Sequence, residues 1–244
     1  IVDAELVSVA NQADGAIDVE GLLGALSNQS QLLLVLTPNN PTGLMLNSDE
    51  LRHLATETPE NVLLFVDEAY FEFAQYAGGA DAVEILKQRK GPWVVTRTFS
   101  KAYALAGLRL GYAICSSLEV ANALRLVTST FNLVGIAEAA AMAALDDPDY
   151  TKMILATTEV ERNRIRDGFR ALGIEPMASV TNFISADIGM DAGTMVKAMR
   201  ERGIRIATFG DPAYPTLIRV STGFPEDTDA FLTALKEIKT TDHA

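Results

Sequence analysis

The chain has 244 residues, 48% of them hydrophobic, which is enough for a sizeable core, and a formal net charge of −12. That acidity argues against a nucleic-acid partner, which would require clustered lysine and arginine. No apolar run approaches the roughly 20 residues that span a bilayer, so we predict neither a membrane segment nor a membrane partner. The single cysteine, Cys115, lies in an apolar run where we expect a core residue.

The amino-terminal part alternates helix and strand patterns. Apolar residues recur at helical spacing over 17–26, and short apolar runs at 32–36 and 62–66 predict buried strands. Between those strands a helix is predicted from Ser48, its candidate N-cap, to about residue 57. Further along the chain we predict a helix at 85–89, strands at 93–96 and 105–113, and helices at 119–127 and 135–145. Strand, helix and strand in succession imply parallel pairing.

The sequence Asp-Asp-Pro-Asp at 146–149 interrupts this pattern, and a long helix is predicted over 150–172. We predict a hinge here, with residues 1–147 forming a large domain and residues 148–244 a linker helix and a small α+β domain. The small domain is predicted to contain strands at 183–186, 204–207 and 217–220 and helices at 192–202 and 226–239. The charged face of the long helix is expected to be solvated; it comprises Glu159, Glu161, Arg162, Arg164, Arg166 and Asp167.

Polar residues follow three of the predicted strands of the large domain. Asn40 follows the first strand within Thr-Pro-Asn-Asn-Pro-Thr-Gly, and Asp67 and Tyr70 follow the second within Asp-Glu-Ala-Tyr. After the third strand comes Lys101, near Thr98, Ser100 and Arg109. Ligands bind outside the carboxyl ends of parallel strands, so these residues are predicted to share one crevice.

These residue types suit an aldehyde cofactor that carries a phosphate. A partly buried lysine near another cation has a lowered pKa and can form a Schiff base. Hydroxyls and a guanidinium can bind a phosphate dianion, and a carboxylate can keep a pyridine nitrogen protonated. Taken singly, each residue also has an ordinary structural role, as a turn residue, a strand-end carboxylate, a half-buried aromatic or an exposed helix cation.

Four sequence words, at 38–43, 67–73, 97–109 and 217–223, resemble the fold type I pyridoxal-phosphate aminotransferases, and within them the histidinol-phosphate aminotransferase group. The resemblance implies an α/β fold: a three-layer α/β/α cofactor-binding domain with a mostly parallel sheet, and a small C-terminal α+β domain. It makes Lys101 the Schiff-base lysine and Asp67 the partner of the pyridine nitrogen. It assigns the cofactor 3-oxygen to Asn40 and Tyr70 and the phosphate to three residues: Thr98, Ser100 and Arg109.

The same resemblance assigns Arg219 to the substrate α-carboxylate and makes Asn182 a weaker substrate-side candidate. By strand alternation alone, Arg219 could equally lie on a solvent face. Relatives carry an arginine for a distal phosphate four residues after Gly203, where this chain has Ala207. Arg205 is a candidate substitute. Substrates with neutral, aromatic or cationic side chains therefore stay open beside histidinol phosphate.

The resemblance implies a cytoplasmic homodimer of amino-acid or histidine biosynthesis, transferring an amino group from an amino donor to a 2-oxo acid such as 2-oxoglutarate. No metal site is predicted. Two alternatives stay open. A decarboxylase of the threonine-phosphate type shares these four sequence motifs. In addition, the chain starts at Ile1 without the phosphate loop that the family places upstream, so we expect a fragment of a larger enzyme that could be inactive.

Overall fold

The computed structural model describes residues 4–241 in two compact units. The first unit comprises the chain up to Asn39 together with Met45–Asp147. The second comprises Asn40–Leu44 together with the chain from Pro148 onwards. Within residues 4–241, no helix is both long enough and apolar enough to cross a membrane.

The described residues of the first unit form a four-stranded sheet in the order β1-β2-β3-β4. Its strands are β1 (Leu32–Leu36), β2 (Leu63–Asp67), β3 (Trp93–Thr98) and β4 (Gly111–Cys115). The first three pair in parallel and β4 pairs antiparallel to β3. The register places Leu36 beside Asp67 and Asp67 beside Thr96, so the carboxyl ends of the parallel strands align. The prediction of a mostly parallel sheet is confirmed.

Helices precede, connect and follow these strands. They are α1 (Val19–Gly24), α2 (Ser48–Glu57), α3 (Phe71–Tyr76), α4 (Ala82–Leu86), α5 (Leu118–Val127) and α6 (Gly135–Leu145). The predicted cap of α2 was wrong by one residue. Asn47 caps it, with Oδ1 accepting from the backbone N–H groups of Asp49 and Glu50, while the Glu50 carboxylate accepts from the Asn47 N–H. The sequence analysis missed α3, and α4 begins three residues before its predicted start.

The core of the first unit lies against one face of the sheet. Alternate residues of β1 and β2, such as Val35, Leu64 and Val66, pack there with apolar residues of the helices, including Leu54 and Leu86. Each is at most 2% exposed. Because each buried side chain of this size contributes about 1.5–3 kcal/mol, this packing fixes the strand ends that carry the polar residues. Cys115 is only partly buried rather than a core residue.

The segment after β3 differs from its prediction. A strand was expected over 105–113, but a turn and a 3-10 helix, Ala106–Leu108, precede β4. The cause is local: Ala104 and Arg109 adopt left-handed conformations, with φ of 57° and 53°. A strand cannot continue through such residues. Lys101 therefore lies on an irregular turn, and two strained positions follow it before β4 begins.

The second unit contains an antiparallel sheet in the order β5-β7-β6, made of β5 (Phe183–Asp187), β6 (Ala207–Thr208) and β7 (Leu217–Ser221). Its helices are α7 (Pro148–Ala171), α8 (Ala192–Glu201) and α9 (Pro225–Thr241). Strand β6 is shorter than the predicted 204–207. The apolar faces of these helices and the inner residues of the sheet form a separate core around Phe169, Ile184 and Leu235.

The expectation that the charged face of α7 is solvated was wrong for two residues. Glu161 and Arg162 are 3% and 6% exposed. Arg162 Nη1 donates to the carbonyls of Val180 and Thr181, and Arg164 pairs with Glu161 at 2.8 Å. Burial lowers the pKa of Arg162. Charged residues on one side of this helix are therefore part of the packing, because backbone carbonyls and ionic partners satisfy them.

The turn at 40–44 is bound within the second unit. Ser185 Oγ donates to the Pro41 carbonyl at 2.5 Å, and the Val180 N–H donates to the Gly43 carbonyl at 3.0 Å. Gly43 has φ of 83°, and a Cβ added there would overlap the Ser179 side chain. Only glycine satisfies both the dihedral and the space.

Candidate active site

A cavity of about 270 Å³ opens in the first unit where β2 and β3 end. It is lined by Asp67, Ala69, Thr96, Arg97, Thr98, Ser100, Lys101 and Arg109. Five residues that the sequence analysis singled out therefore border one space. The parallel register brings them together, because it aligns the ends of neighbouring strands although the residues are far apart along the chain.

Asp67 and Tyr70 occupy the turn between β2 and α3. The Asp67 Oδ1 atom accepts the Ala69 N–H at 2.9 Å. Tyr70 is 4% exposed, and the Lys101 Nζ lies 5.2 Å from the centroid of its ring. Asp67 thus presents its carboxylate to the cavity from a fixed turn, and the lysine amine lies close to the phenol ring.

Thr98, Ser100 and Arg109 form a group of hydrogen-bond donors around the turn that carries Lys101. The hydroxyls of Thr98 and Ser100 are 3.0 Å apart, and Arg109 Nη1 lies 3.5 Å from the Ser100 Oγ. Arg109 owes this direction to its left-handed backbone, and Nη1 also donates to the Ala106 carbonyl at 2.9 Å. Two hydroxyls beside one guanidinium are the donor set that suits a phosphate dianion.

A buried ion cluster lies directly beside this turn, and the sequence analysis missed it. Arg97 Nη2 is 2.7 Å from Glu68 Oε2 and 2.7 Å from Asp81 Oδ1, with the Arg97 side chain 9% exposed. The Arg97 Cζ lies 3.3 Å from the centroid of the Phe71 ring. Burial raises the pKa of Glu68, and the Arg97 guanidinium opposes that rise. The available signal was an arginine inside an otherwise apolar strand and a glutamate directly after another strand.

Two further groups beside this cluster have shifted pKa values. Burial raises the pKa of Glu72 to about 7, against the opposing influence of its own backbone N–H and of Arg97. Burial, together with the Glu72 charge, raises the pKa of Tyr103 to about 12. Burial therefore favours the neutral forms of the Glu72 and Tyr103 side chains.

In the second unit, Arg219 lies beside Asn40. Arg219 Nη1 donates to the Asn40 Oδ1 at 2.6 Å, and its Cζ lies 5.1 Å from the Phe183 ring centroid. Ala207 is the cross-strand partner of Arg219 in β6. A small side chain thus stands beside the guanidinium, at the position where relatives of the histidinol-phosphate group were expected to have a second arginine.

Asn182 and Arg205 are placed differently. The Asn182 backbone carbonyl accepts from the Thr222 N–H and hydroxyl, which fixes the chain just before β5. Arg205 borders another cavity of the second unit, of about 350 Å³, with Arg202 and Phe231 among its lining residues. Arg219 does not line that cavity. The structure therefore does not bring Arg205 to Arg219 as a substitute for the missing arginine.

A lysine amine, a carboxylate and a phosphate-binding donor set at the strand ends of an α/β domain define a class of site for a phosphorylated aldehyde cofactor. The sequence profile described as aminotransferase class I and II matches residues 1–235. The chain belongs to this family, which confirms the recognised family and the α/β fold class.

Two individual relatives show which enzymes this chain is similar to. The chain is 40% identical over 221 residues to histidinol-phosphate aminotransferase 2 of Pseudomonas aeruginosa, covering 91% of this chain and 59% of the relative. It is 38% identical over 235 residues to the aromatic amino acid aminotransferase of Rhodococcus opacus, covering 95% of this chain and 63% of the relative. The chain therefore spans about three fifths of the length of these relatives.

A solved structure agrees in fold. The crystal structure of histidinol-phosphate aminotransferase from Sinorhizobium meliloti, in complex with pyridoxal-5'-phosphate, superposes with a TM-score of 0.87 at 34% identity. The match covers 97% of this chain and 65% of that chain.

Proposed function

We propose that this chain is a pyridoxal-phosphate-dependent aminotransferase, which moves an amino group between an amino acid or histidinol phosphate and a 2-oxo acid such as 2-oxoglutarate. The observation that carries the proposal is the cavity in which Lys101, Asp67 and the donors of Thr98, Ser100 and Arg109 meet. Family membership supports the same cofactor and the same class of reaction. The decarboxylase alternative is less supported, because the relatives described above are aminotransferases.

The residues present fit the cofactor. Lys101 would hold its aldehyde carbon covalently, and the two hydroxyls with Arg109 would hold its phosphate. Among residues 4–241, the hydrogen bond found for the Asp67 carboxylate uses Oδ1, so Oδ2 is available to a protonated ring nitrogen. Tyr70 would donate its phenolic proton to the 3-oxygen.

When bound, pyridoxal phosphate supplies a protonated ring that withdraws electrons from the substrate bond being broken. Asp67 keeps the proton on the ring nitrogen, because a carboxylate beside it raises the affinity of that nitrogen for a proton. Once the substrate amine has displaced it from the aldehyde carbon, the Lys101 amine would accept the proton from the substrate Cα and later return it as a general acid. Thr98, Ser100 and Arg109 prevent the reacting atoms from shifting while the proton moves.

Arg219 would bind the substrate α-carboxylate through its planar fork and so orient the Cα–H bond. Asn40 holds this guanidinium through Nη1, which supports a role on the substrate side; its predicted contact with the cofactor 3-oxygen stays a prediction. Asn182 stays a substrate-side prediction too. With Ala207 beside Arg219, we propose that the donor includes amino acids with uncharged side chains as well as histidinol phosphate.

The same proposal extends to the domains, the location and the assembly of the protein. We assign cofactor binding to residues 1–147 and substrate binding to residues 148–244. We also propose a cytoplasmic location and a homodimer. Several apolar side chains of the first unit support an assembled state. They are largely exposed in this single chain: Leu126 at 87%, Phe131 at 94% and Ile136 at 72%.

The test is lysine-dependent binding of the cofactor. Adding pyridoxal phosphate to the chain should produce an absorption band that Lys101→Ala abolishes. Borohydride should remove this band by reducing the bond to the amine, and should leave the cofactor permanently attached. Lys101→Arg keeps the positive charge and serves as the matched control, because it lacks the reactive amine. Amino acids supplied to the loaded protein should then yield 2-oxo acids, with a loss of at least about 100-fold in Lys101→Ala.

Two results would contradict the proposal. A band that persists in Lys101→Ala would place the attachment elsewhere, and the absence of any band would mean that this polypeptide does not hold the cofactor. Release of carbon dioxide in place of a 2-oxo acid would support the decarboxylase. The comparison of phenylalanine, leucine and histidinol phosphate as donors separates the substrate classes.

A further inference from the structure

The Arg97 side chain contacts the residues on both sides of the turn that carries Tyr70. Its Nε and Nη2 atoms lie 2.8 and 2.7 Å from Glu68 Oε2, and its Cζ lies 3.3 Å from the Phe71 ring centroid. Glu68 directly follows Asp67, and Phe71 directly follows Tyr70. One guanidinium thus holds both ends of the segment 68–71 on which the two proposed cofactor contacts depend.

The same arginine belongs to the strand that leads to Lys101. Arg97 lies next to Thr98 near the end of β3, and the Glu68 N–H donates to the Thr96 carbonyl at 2.8 Å. The turn after β2 is therefore tied to β3 twice, through the backbone and through the ion pair. Any shift of the Glu68 side chain would move the Asp67 turn relative to the Thr98, Ser100 and Lys101 segment.

Burial shows that the pair is more than a surface contact. The Arg97 and Glu68 side chains are 9% and 3% exposed, and Glu68 Oε1 also accepts the Ala82 N–H at 3.1 Å. A buried ion pair stabilises a fold no better than well-packed apolar residues do, because desolvation offsets most of the attraction. What it adds is direction, since a planar guanidinium fixes its partners in angle as well as distance.

We propose that the Glu68–Arg97 pair is a positioning device for the site, and that it holds Asp67 and Tyr70 in place relative to Lys101. The inference rests on the proposed function, because it concerns the groups that would contact the cofactor. Arg97 and Glu68 are positioning residues: although Arg97 borders the cavity, its guanidinium is bonded to Glu68, Asp81 and Tyr112, and Glu68 also accepts the Ala82 N–H.

Asp81 provides a matched control. It is the second carboxylate on Arg97, at 2.7 Å, but it caps α4 and does not belong to the turn. Both Glu68→Gln and Asp81→Asn remove one charge from the same cluster at constant size. In each variant the new amide keeps an oxygen that can accept the backbone N–H bound by the original carboxylate, at Ala82 and Val83 respectively. Only the first variant weakens the hold on residues 68–71.

The experiment compares both variants with the wild-type chain by titration with pyridoxal phosphate. The readouts are the dissociation constant, the pH midpoint of the lysine-dependent band, and the urea midpoint for unfolding. Glu68→Gln should weaken binding about tenfold and move the pH midpoint of the band, because Asp67 and Tyr70 lose their fixed positions. Asp81→Asn should change binding by less than about twofold and leave that midpoint in place, since Asp81 is partly exposed.

Equal effects of the two variants on binding and band would overturn the inference while leaving the proposed function intact. A wild-type chain without the band would overturn the proposed function, and this inference with it. Should Glu68→Gln fail to fold, Arg97→Lys decides, because it keeps the charge and loses the fork. A folded Arg97→Lys protein with wild-type binding and band would also overturn the inference.

Discussion

Glu72 is a buried carboxyl group whose protonation is shifted by its surroundings. It is 9% exposed, and burial raises its pKa from 4.5 to about 7. The folded protein therefore holds this proton over a range in which the unfolded chain has released it, so stability falls as pH rises from about 4.5 to about 7. The difference corresponds to about 3 kcal/mol.

Glu72→Gln should remove this penalty, because glutamine resembles the protonated side chain. We expect the free energy of unfolding to be close to wild type near pH 5 and about 3 kcal/mol higher near pH 8, measured by urea denaturation across that range. Glu57→Gln, at the exposed end of α2, removes the same charge and controls for the change in net charge. A pH-independent difference between Glu72→Gln and wild type would contradict the prediction.

The sequence could predict those site residues that form a motif with their neighbours along the chain. Lys101, Thr98 and Ser100 were predicted because they lie within four residues of one another, and the structure places them on one cavity. The Glu68–Arg97 pair was missed because its members are 29 positions apart. Each charged residue is visible in its own segment, but nothing local indicates that the two side chains face one another.

Among the secondary structure elements, the end of α2 depends on an arginine from a distant segment. The Arg89 guanidinium donates to the carbonyls of Ala55, Thr58, Pro59 and Val62 at 2.6–2.9 Å. These carbonyls lie at the C-terminal end of the helix and in the loop that enters β2, and that of Pro59 also accepts the Val62 N–H at 3.0 Å. Burial lowers the pKa of Arg89. One side chain thereby replaces the C-cap that a glycine usually provides.

Arg89→Met should lower the free energy of unfolding by about 2–4 kcal/mol, because it removes the guanidinium donors from all four carbonyls. Arg89→Lys should recover only part of the loss, since an ammonium cannot reach four oxygens in the same plane. Urea denaturation measures both, and hydrogen exchange should show the last turn of α2 opening first. Lys90→Met, one residue away and exposed, is the control. An equally large loss of stability in that variant would contradict this role of the Arg89 guanidinium.

Element boundaries followed the sequence where local chemistry determines them. The apolar runs at 32–36 and 62–66 became β1 and β2 with a shift of at most one residue. The prediction that the first is a buried strand was wrong for one face, because Leu32 and Leu34 are about half exposed. The predicted strand at 105–113 was wrong because Ala104 and Arg109 take left-handed dihedrals, which alanine and arginine rarely adopt. Arg162 was assigned to solvent because the carbonyls that it binds, those of Val180 and Thr181, lie outside α7.

For the whole molecule, two separate cores imply two sets of stabilising contacts. The first is centred on Val35, Leu64 and Val66, and the second on Phe169, Ile184 and Leu235. The short segment 40–44 belongs to the second although the residues around it belong to the first. Sequence could not predict this assignment, because the partners of the segment are all more than about 100 positions away; they are Ser179, Val180, Ser185 and Arg219.

Gly43→Ala tests that assignment. A methyl group there would overlap the Ser179 side chain, and φ of 83° disfavours any side chain. Together these effects should destabilise the second unit by about 2–4 kcal/mol. Gly203→Ala, in the same unit with φ of 78° and no atom within 4 Å of the added carbon, isolates the dihedral cost of about 1 kcal/mol.

Far-UV circular dichroism follows both units, whereas fluorescence of Trp93, the single tryptophan, follows the first. We expect the dichroism midpoint in urea to fall in Gly43→Ala by more than the fluorescence midpoint. A uniform fall, or one no larger than that of Gly203→Ala, would mean that the contacts of the 40–44 segment do not stabilise the second unit.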